Sequence, residues 1–117
     1  VVLGKTISAW HMAGAVHGDL KWSNIMLQSN ADQINIFFID LDQAKLYNAP
    51  RVRGIEKDLS RFYRYGLELG AEEWVKSEFF PAYKEMLPDA IKNKVDLVRV
   101  KEKALKKWGE KRQLTII

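Results

Sequence analysis

The polar string His17-Gly18-Asp19-Leu20-Lys21-Trp22-Ser23-Asn24, and the apolar run Ile34 to Ile39 that ends in Asp40-Leu41-Asp42, restrict this chain more than any other feature. Ile25-Met26-Leu27 follows the first directly, Gln28 to Gln33 is polar and turn-like, and Ile34 to Ile39 is β-branched and aromatic. Two short apolar runs split by a polar turn read as a β-hairpin over 25–40. Such a hairpin folds Asp40 back beside Asn24, so two polar clusters distant in sequence are expected side by side.

The remainder reads as helix. Leu3, Ile7, Trp10 and Gly14 recur at helical spacing, with Lys5, Ser8 and Met12 off that stripe, which predicts a helix over 2–15. Asn48-Ala49-Pro50-Arg51 is a breaker, because the residue before proline is pushed out of the helical region. Beyond it Leu59, Phe62, Tyr63, Gly66 and Leu67 follow the i, i+3, i+4 pattern, with Gly70 as the stop. Trp74, Val75, Phe79, Tyr83, Met86 and Leu87 continue helically, although Pro81 should interrupt or restart that helix. Pro88-Asp89 opens a last helix, 89–112, with Ile91, Val95, Val98, Leu105 and Trp108 on one side and lysines around the rest. Trp10, Trp74, Trp108 and the Phe79-Phe80 pair are assigned to the core, whereas Trp22, inside the polar string, is free to contact a substrate.

With 117 residues, of which 47% are hydrophobic, the chain holds one domain's worth of core-forming material. It has no cysteine, which excludes a disulfide scaffold and thiolate metal sites and fits a cytoplasmic setting. No apolar stretch approaches a bilayer span of about 20 residues. The formal charge of +4 is uneven: residues 92 to 112 hold nine Lys or Arg against Asp96, Glu102 and Glu110, leaving the rest acidic. Such a basic helix is ordinarily a solvated face, and it also suits peripheral contact with an anionic membrane or a phosphorylated glycolipid. No nucleic-acid module is apparent.

Phosphoryl transfer asks a protein to orient the attacking hydroxyl and to neutralise charge on the transferring group. Asp19 offers a carboxylate, Lys21 a compact cation, and Asn24 a neutral oxygen ligand suited to Mg²⁺. Asp40, after a hydrophobic strand, is a second candidate ligand, and Asp42 would share its face in extended chain and join the metal shell. Individually these residues also suit helix caps and turns. An EF-hand is excluded, since glycine at the sixth position and glutamate at the twelfth do not occur. His11 and His17, six apart with no glutamate between them, do not suggest zinc, and His17 reads as structural.

The pattern H-x-D-L-K-x-x-N, a hairpin, and then I-D-L-D resembles the catalytic and metal-binding loops of the protein-kinase-like superfamily. Within it the sequence most resembles the lipopolysaccharide kinase family of the Kdo/WaaP type, whose members show I-D-x-D where protein kinases have D-F-G, and a later K-D-L, here Lys57-Asp58-Leu59. The similarity covers about residues 1 to 70. It implies an α+β, mostly α fold: a kinase-like C-terminal lobe with the catalytic loop at 17–24, a small β-hairpin, and three or four helices in 54–112. It also implies Asp19 as catalytic base, Lys21 near the transferred phosphate of ATP, and Asn24 and Asp40 as ligands of Mg²⁺ and hence of the nucleotide. The acceptor would be a sugar hydroxyl of the lipopolysaccharide core. Asp58 is similar to the aspartate that braces the catalytic loop in kinase folds, and equally suits a first-turn acid facing a helix dipole.

Several departures qualify the resemblance. Gly18 stands where protein kinases have arginine, no glycine follows Asp40, and no A-P-E segment occurs, which points away from a phosphorylation-switched protein kinase. Gly18 is frequent in phosphotransferases of the aminoglycoside type, so a small-molecule or protein phosphotransferase is the alternative enzyme, and a non-catalytic pseudokinase or membrane-associated module is the alternative outside enzymology. No glycine-rich loop or strand lysine precedes His17. The N-terminal lobe is thus expected to be absent and the chain to be a piece of something longer, binding ATP weakly and turning over little.

Overall fold

In the computed structural model, which describes residues 1–116 and side chains through residue 110, the chain opens with helix α1 (Val2–Met12). Its buried residues are Gly4, Ile7, Ser8 and His11, a single i, i+3, i+4, i+7 face. This corrects the apolar stripe read through Trp10 and Gly14. The inward face is half polar, because His11 finds buried partners described below. The helix also ends three residues early: Gly14 adopts φ +94°, which turns the chain out of helical register.

Strand β1 (Ala15–Val16) follows and pairs antiparallel with β4 (Lys45–Leu46), Ala15 opposite Leu46. Between them lies the expected hairpin, β2 (Ile25–Asn30) against β3 (Gln33–Phe38), closed by the two-residue turn Ala31-Asp32. This topology matters for the site. The chain leaves β1, runs the polar string, makes the hairpin, and returns through residues 39–44 to β4 beside its starting point. The two connecting loops are therefore adjacent by construction.

Helix α2 (Val52–Glu68) is the central element. Leu59, Phe62, Tyr63 and Gly66 line its buried face, as their spacing predicts, joined by Ile55, while Leu67 is half-buried, and Gly70 with φ +72° lies just past its end. Next, α3 (Glu72–Trp74), a π-helical turn (Val75–Phe79) and α4 (Phe80–Glu85) form one continuous helical run. Pro81 has no N–H and crowds the carbonyl four residues back. The wider π turn immediately upstream accommodates it, so Pro81 does not break the run. Phe79 stacks on Phe62 at 4.1 Å between centroids and on Tyr83 at 6.1 Å, which makes this aromatic group the middle of the core. Gly4 lets α1 meet this run closely, since a Cβ there would fall 2.8 Å from the Phe79 carbonyl oxygen. Of the expected core aromatics only Phe79 and Phe80 are in the core: Trp10 is half-buried and stacks on Phe38 at 4.5 Å, Trp108 is half-buried, and Trp74 is 38% exposed.

The expected single helix 89–112 is two helices, α5 (Asp89–Lys92) and α6 (Leu97–Ile116). Asp96 Oδ1 accepts hydrogen bonds from the Val98 amide (3.0 Å) and the Arg99 amide (3.2 Å), starting α6 afresh and resetting its phase. Val100 and Ala104 consequently point inward, while Val98 (63%) and Leu105 (46%), expected on the buried stripe, are exposed. Of the basic residues counted in this segment, Lys111 and Arg112 have side chains outside the described residues. No helix among the described residues is long and apolar enough to cross a membrane.

Candidate active site

A buried carboxylate organises the polar string. Asp58, 1% exposed on α2, accepts the His17 amide on Oδ2 (2.8 Å) and the Gly18 amide on Oδ1 (2.9 Å). It lies seven residues into α2, so it braces the loop rather than serving as a first-turn acid. Oδ2 also accepts from His11 Nε2 at 2.9 Å, and His11 Nδ1 lies 2.7 Å from the Tyr83 hydroxyl. Burial, reinforced by the charge of Asp58, pushes the Tyr83 hydroxyl above the ordinary phenol range, which makes it a proton donor. The network thus runs Tyr83 O–H to His11, and His11 N–H to Asp58.

His17 is fully buried and joins the two loops. Its Nδ1 accepts the Asp19 amide (3.1 Å), so the ring proton sits on Nε2, which donates to the Ile39 carbonyl (2.8 Å). The Ile39 amide in turn donates to the Asn24 carbonyl at 2.9 Å. These bonds bring the segment carrying Asp40 alongside the segment carrying Asp19 and Asn24. Gly18 fits this arrangement for a local reason: its φ is +86°, and a Cβ would meet the Gln43 carbonyl oxygen at 2.6 Å. The return loop passes too close for a side chain there.

Asp19 is held in place by three neighbours. Arg61 Nη1 donates to Asp19 Oδ1 at 2.7 Å, and Lys21 Nζ stands 4.0 Å from Oδ2. Asn24, itself buried, spends its amide nitrogen on the Asp19 carbonyl (2.9 Å), which leaves Oδ1 as the atom able to ligate a cation. Asp40 is exposed and adopts φ +57°, in the left-handed region. One amide oxygen and one carboxylate suit a hard cation that keeps several waters and binds substrate phosphates, so the donor set fits Mg²⁺. Asp42 does not share a face with Asp40 through extended chain, because the backbone turns at Asp40 and again over Leu41 to Ala44, closed by the Ala44 amide on the Leu41 carbonyl (3.0 Å). Among the described residues no three His, Cys, Asp or Glu side chains form a cage for a metal ion.

Trp22 does not face outward as a substrate contact. Its indole N–H donates to the Phe62 carbonyl (3.0 Å) and its ring packs on Phe62 and Trp74, which pins the short 3₁₀ turn Trp22–Asn24 to the core. Arg61 and His11 were not evident in the sequence. Arg61 sits three residues after Asp58, hence on the same face of α2, and that spacing is the signal that points to it. His11 carried no such signal, because its partners are 47 and 72 residues away.

Comparison with known proteins bears on the family and the fold. The lipopolysaccharide kinase (Kdo/WaaP) family model matches residues 2–83. Among solved structures, one described as WaaP in complex with acyl carrier protein matches with a TM-score of 0.69 at 23% identity. The match covers 92% of this chain and 46% of that one, so the chain spans about half the length of the structure it resembles. That likeness gives the fold: mostly helical α+β with small antiparallel sheets. No curated protein matches the sequence.

Proposed function

The chain belongs to the lipopolysaccharide kinase (Kdo/WaaP) family, and from that premise we propose that it is the catalytic-loop half of a kinase that moves phosphate from ATP to a sugar hydroxyl of the lipopolysaccharide core. The observation that carries the reading is the grouping of Asp19 with Lys21 and Asn24 on a loop whose backbone is fixed by buried Asp58, with Arg61 reaching Asp19 from α2. Asp19 accepts the acceptor's hydroxyl proton on Oδ2, the oxygen not held by Arg61, as that hydroxyl oxygen bonds to phosphorus. Arg61 fixes the orientation of the carboxylate. Lys21 sits where it can offset charge on the transferring group. Asn24 and Asp40 would hold Mg²⁺, which when bound neutralises nucleotide phosphate charge. Asp42 is a further candidate for that shell.

The 117-residue chain contains no glycine-rich loop or strand lysine before His17, so on its own it should show no steady-state turnover. A longer protein carrying this sequence together with those elements should phosphorylate lipopolysaccharide core sugar, and Asp19→Ala should lower its kcat by roughly 10²–10⁴-fold with an unchanged far-UV spectrum. Turnover retained by Asp19→Ala would overturn the assignment. Transfer to an aminoglycoside or a protein in place of core sugar would move the substrate to the alternative class, and absence of Mg²⁺-dependent nucleotide binding would make the chain a pseudokinase module.

A further inference from the structure

Between α2 and α6 lies a cavity of about 410 Å³ whose lining includes Lys57, Arg61, Arg64, Lys103, Lys106 and Lys107. Glu110 is the one carboxylate on its wall, and it is paired with Lys107 at 4.0 Å. Lys57, Lys103 and Lys106 make no hydrogen bond or ion pair among the described residues. Cations gathered in a concavity repel one another, and the arrangement becomes favourable when an anion enters. A solvated basic face needs no concavity and leaves no polar atom unpaired. Here Arg64 Nε is buried without a hydrogen-bond partner, the one such nitrogen among the described side chains. Arg64 also lines the cavity, with its guanidinium carbon 5.3 Å from the Tyr65 ring centroid, so it adds charge to the wall while its Nε lies beneath the surface.

The cavity also reaches the candidate base. Arg61 lines it and at the same time donates to Asp19 Oδ1 at 2.7 Å, so an anion seated there lies one guanidinium away from the carboxylate. Its fork can serve a carboxylate and a phosphate together, since it presents five N–H donors.

We propose that this cavity is a subsite for a phosphate group carried by the acceptor, seated beside Asp19 through the shared Arg61. The acceptor assignment rests on the kinase reading above, whereas the binding itself does not. Several cations and a forked donor suit a dianion better than a single carboxylate. The phosphate can belong to a soluble sugar phosphate or to a lipid that carries a phosphomonoester, with the same chemistry.

The test uses the 117-residue chain, without ATP or turnover. Inorganic phosphate is titrated while the Arg64 Nε–H and backbone amide signals are followed by NMR. Saturable movement of the Arg64 Nε–H signal is expected, with affinity falling as salt rises. Lys103→Glu combined with Lys106→Glu, both exposed and outside the core, should weaken binding at least about tenfold. Asp19→Asn should tighten it about threefold or more, because Arg61 loses its competing carboxylate. A stationary Arg64 signal, non-saturable binding, or equal affinity in the double variant would overturn the site. Vesicles of phosphatidic acid in phosphatidylcholine then name the source: binding that phosphate displaces supports the site with a lipid-borne phosphate, no vesicle binding beside intact phosphate binding supports it with a soluble acceptor, and vesicle binding that phosphate does not displace counts against a lipid in this cavity. Loss of the kinase assignment through Asp19→Ala would leave these results untouched, and their failure would leave that assignment standing.

Discussion

Glu56 and Asp58 are two residues apart on α2, both buried and both acidic, yet they hold opposite parts of the molecule. Asp58 grips backbone: two loop amides and a histidine ring. Glu56 grips a side chain, accepting from Arg99 Nε (2.8 Å) and Nη2 (2.6 Å) as well as from the Asp96 amide (2.9 Å). Residues two apart on a helix face nearly opposite ways, which is why one acid serves the polar loop and the other docks α6. The contrast teaches a distinction in consequence. A carboxylate holding amides fixes the backbone trace of a site, whereas one holding a half-exposed arginine fixes only where a helix rests.

Removing the brace should have the largest effect. Asp58→Ala strips the acceptor from His17, Gly18 and His11 in a dry environment and should cost about 3–5 kcal/mol in denaturant unfolding. A loss under about 1 kcal/mol would erase the distinction between the two acids. Gly18→Ala tests the same loop from its other side. It forces a side chain into a left-handed residue and against the Gln43 carbonyl, for an expected cost of about 1–3 kcal/mol. Hydrogen exchange should quicken over 17–24 and 39–44 while α6 stays protected, and an equal change in α6 would show the regions to be one unit.

The smallest effect is expected at Glu56 and is read through pH. Burial alone would raise its carboxyl, but the Arg99 bonds, the Asp96 amide and the charge of Lys103 outweigh it and hold Glu56 below its ordinary value of 4.5. A lowered folded value means the stabilisation is complete above 4.5 and is lost as pH falls through the folded one. Because Arg99 is half exposed, solvent screening keeps the contribution small. Thermal melts from pH 6 to 3 should show Glu56→Gln flattening the acid limb. An unchanged limb would show that the Arg99 clamp contributes nothing measurable.

The loop end of the molecule was legible in the sequence and the α6 end was not, for physical reasons. The string 17–24 and the runs beside it combine side-chain chemistry with apolar, β-branched and aromatic strand composition, and both act over short range. Asp58 became readable through its K-D-L context. Glu56 and Arg99 are 43 residues apart and each looks like surface charge on its own helix. The phase of α6 was misread because a capping aspartate, Asp96, intervened in what looks like one amphipathic run. In α1 the inward face was misread because Ser8 and His11 are polar, and only the fold supplies His11 with Tyr83 and Asp58. Arg61, the residue that orients Asp19, belongs to a helix 42 positions away.

The left-handed backbone at Asp40 bears on how such sequences are compared. Among residues with a side chain, asparagine and aspartate tolerate that conformation best, by bonding to their own backbone. Selection for the turn alone therefore favours aspartate, asparagine or glycine at this position, whether or not phosphate is ever transferred. An aspartate retained here is a poor marker of surviving activity in a diverged copy. A change at Asp19, which no unusual backbone angle protects, is the more telling loss.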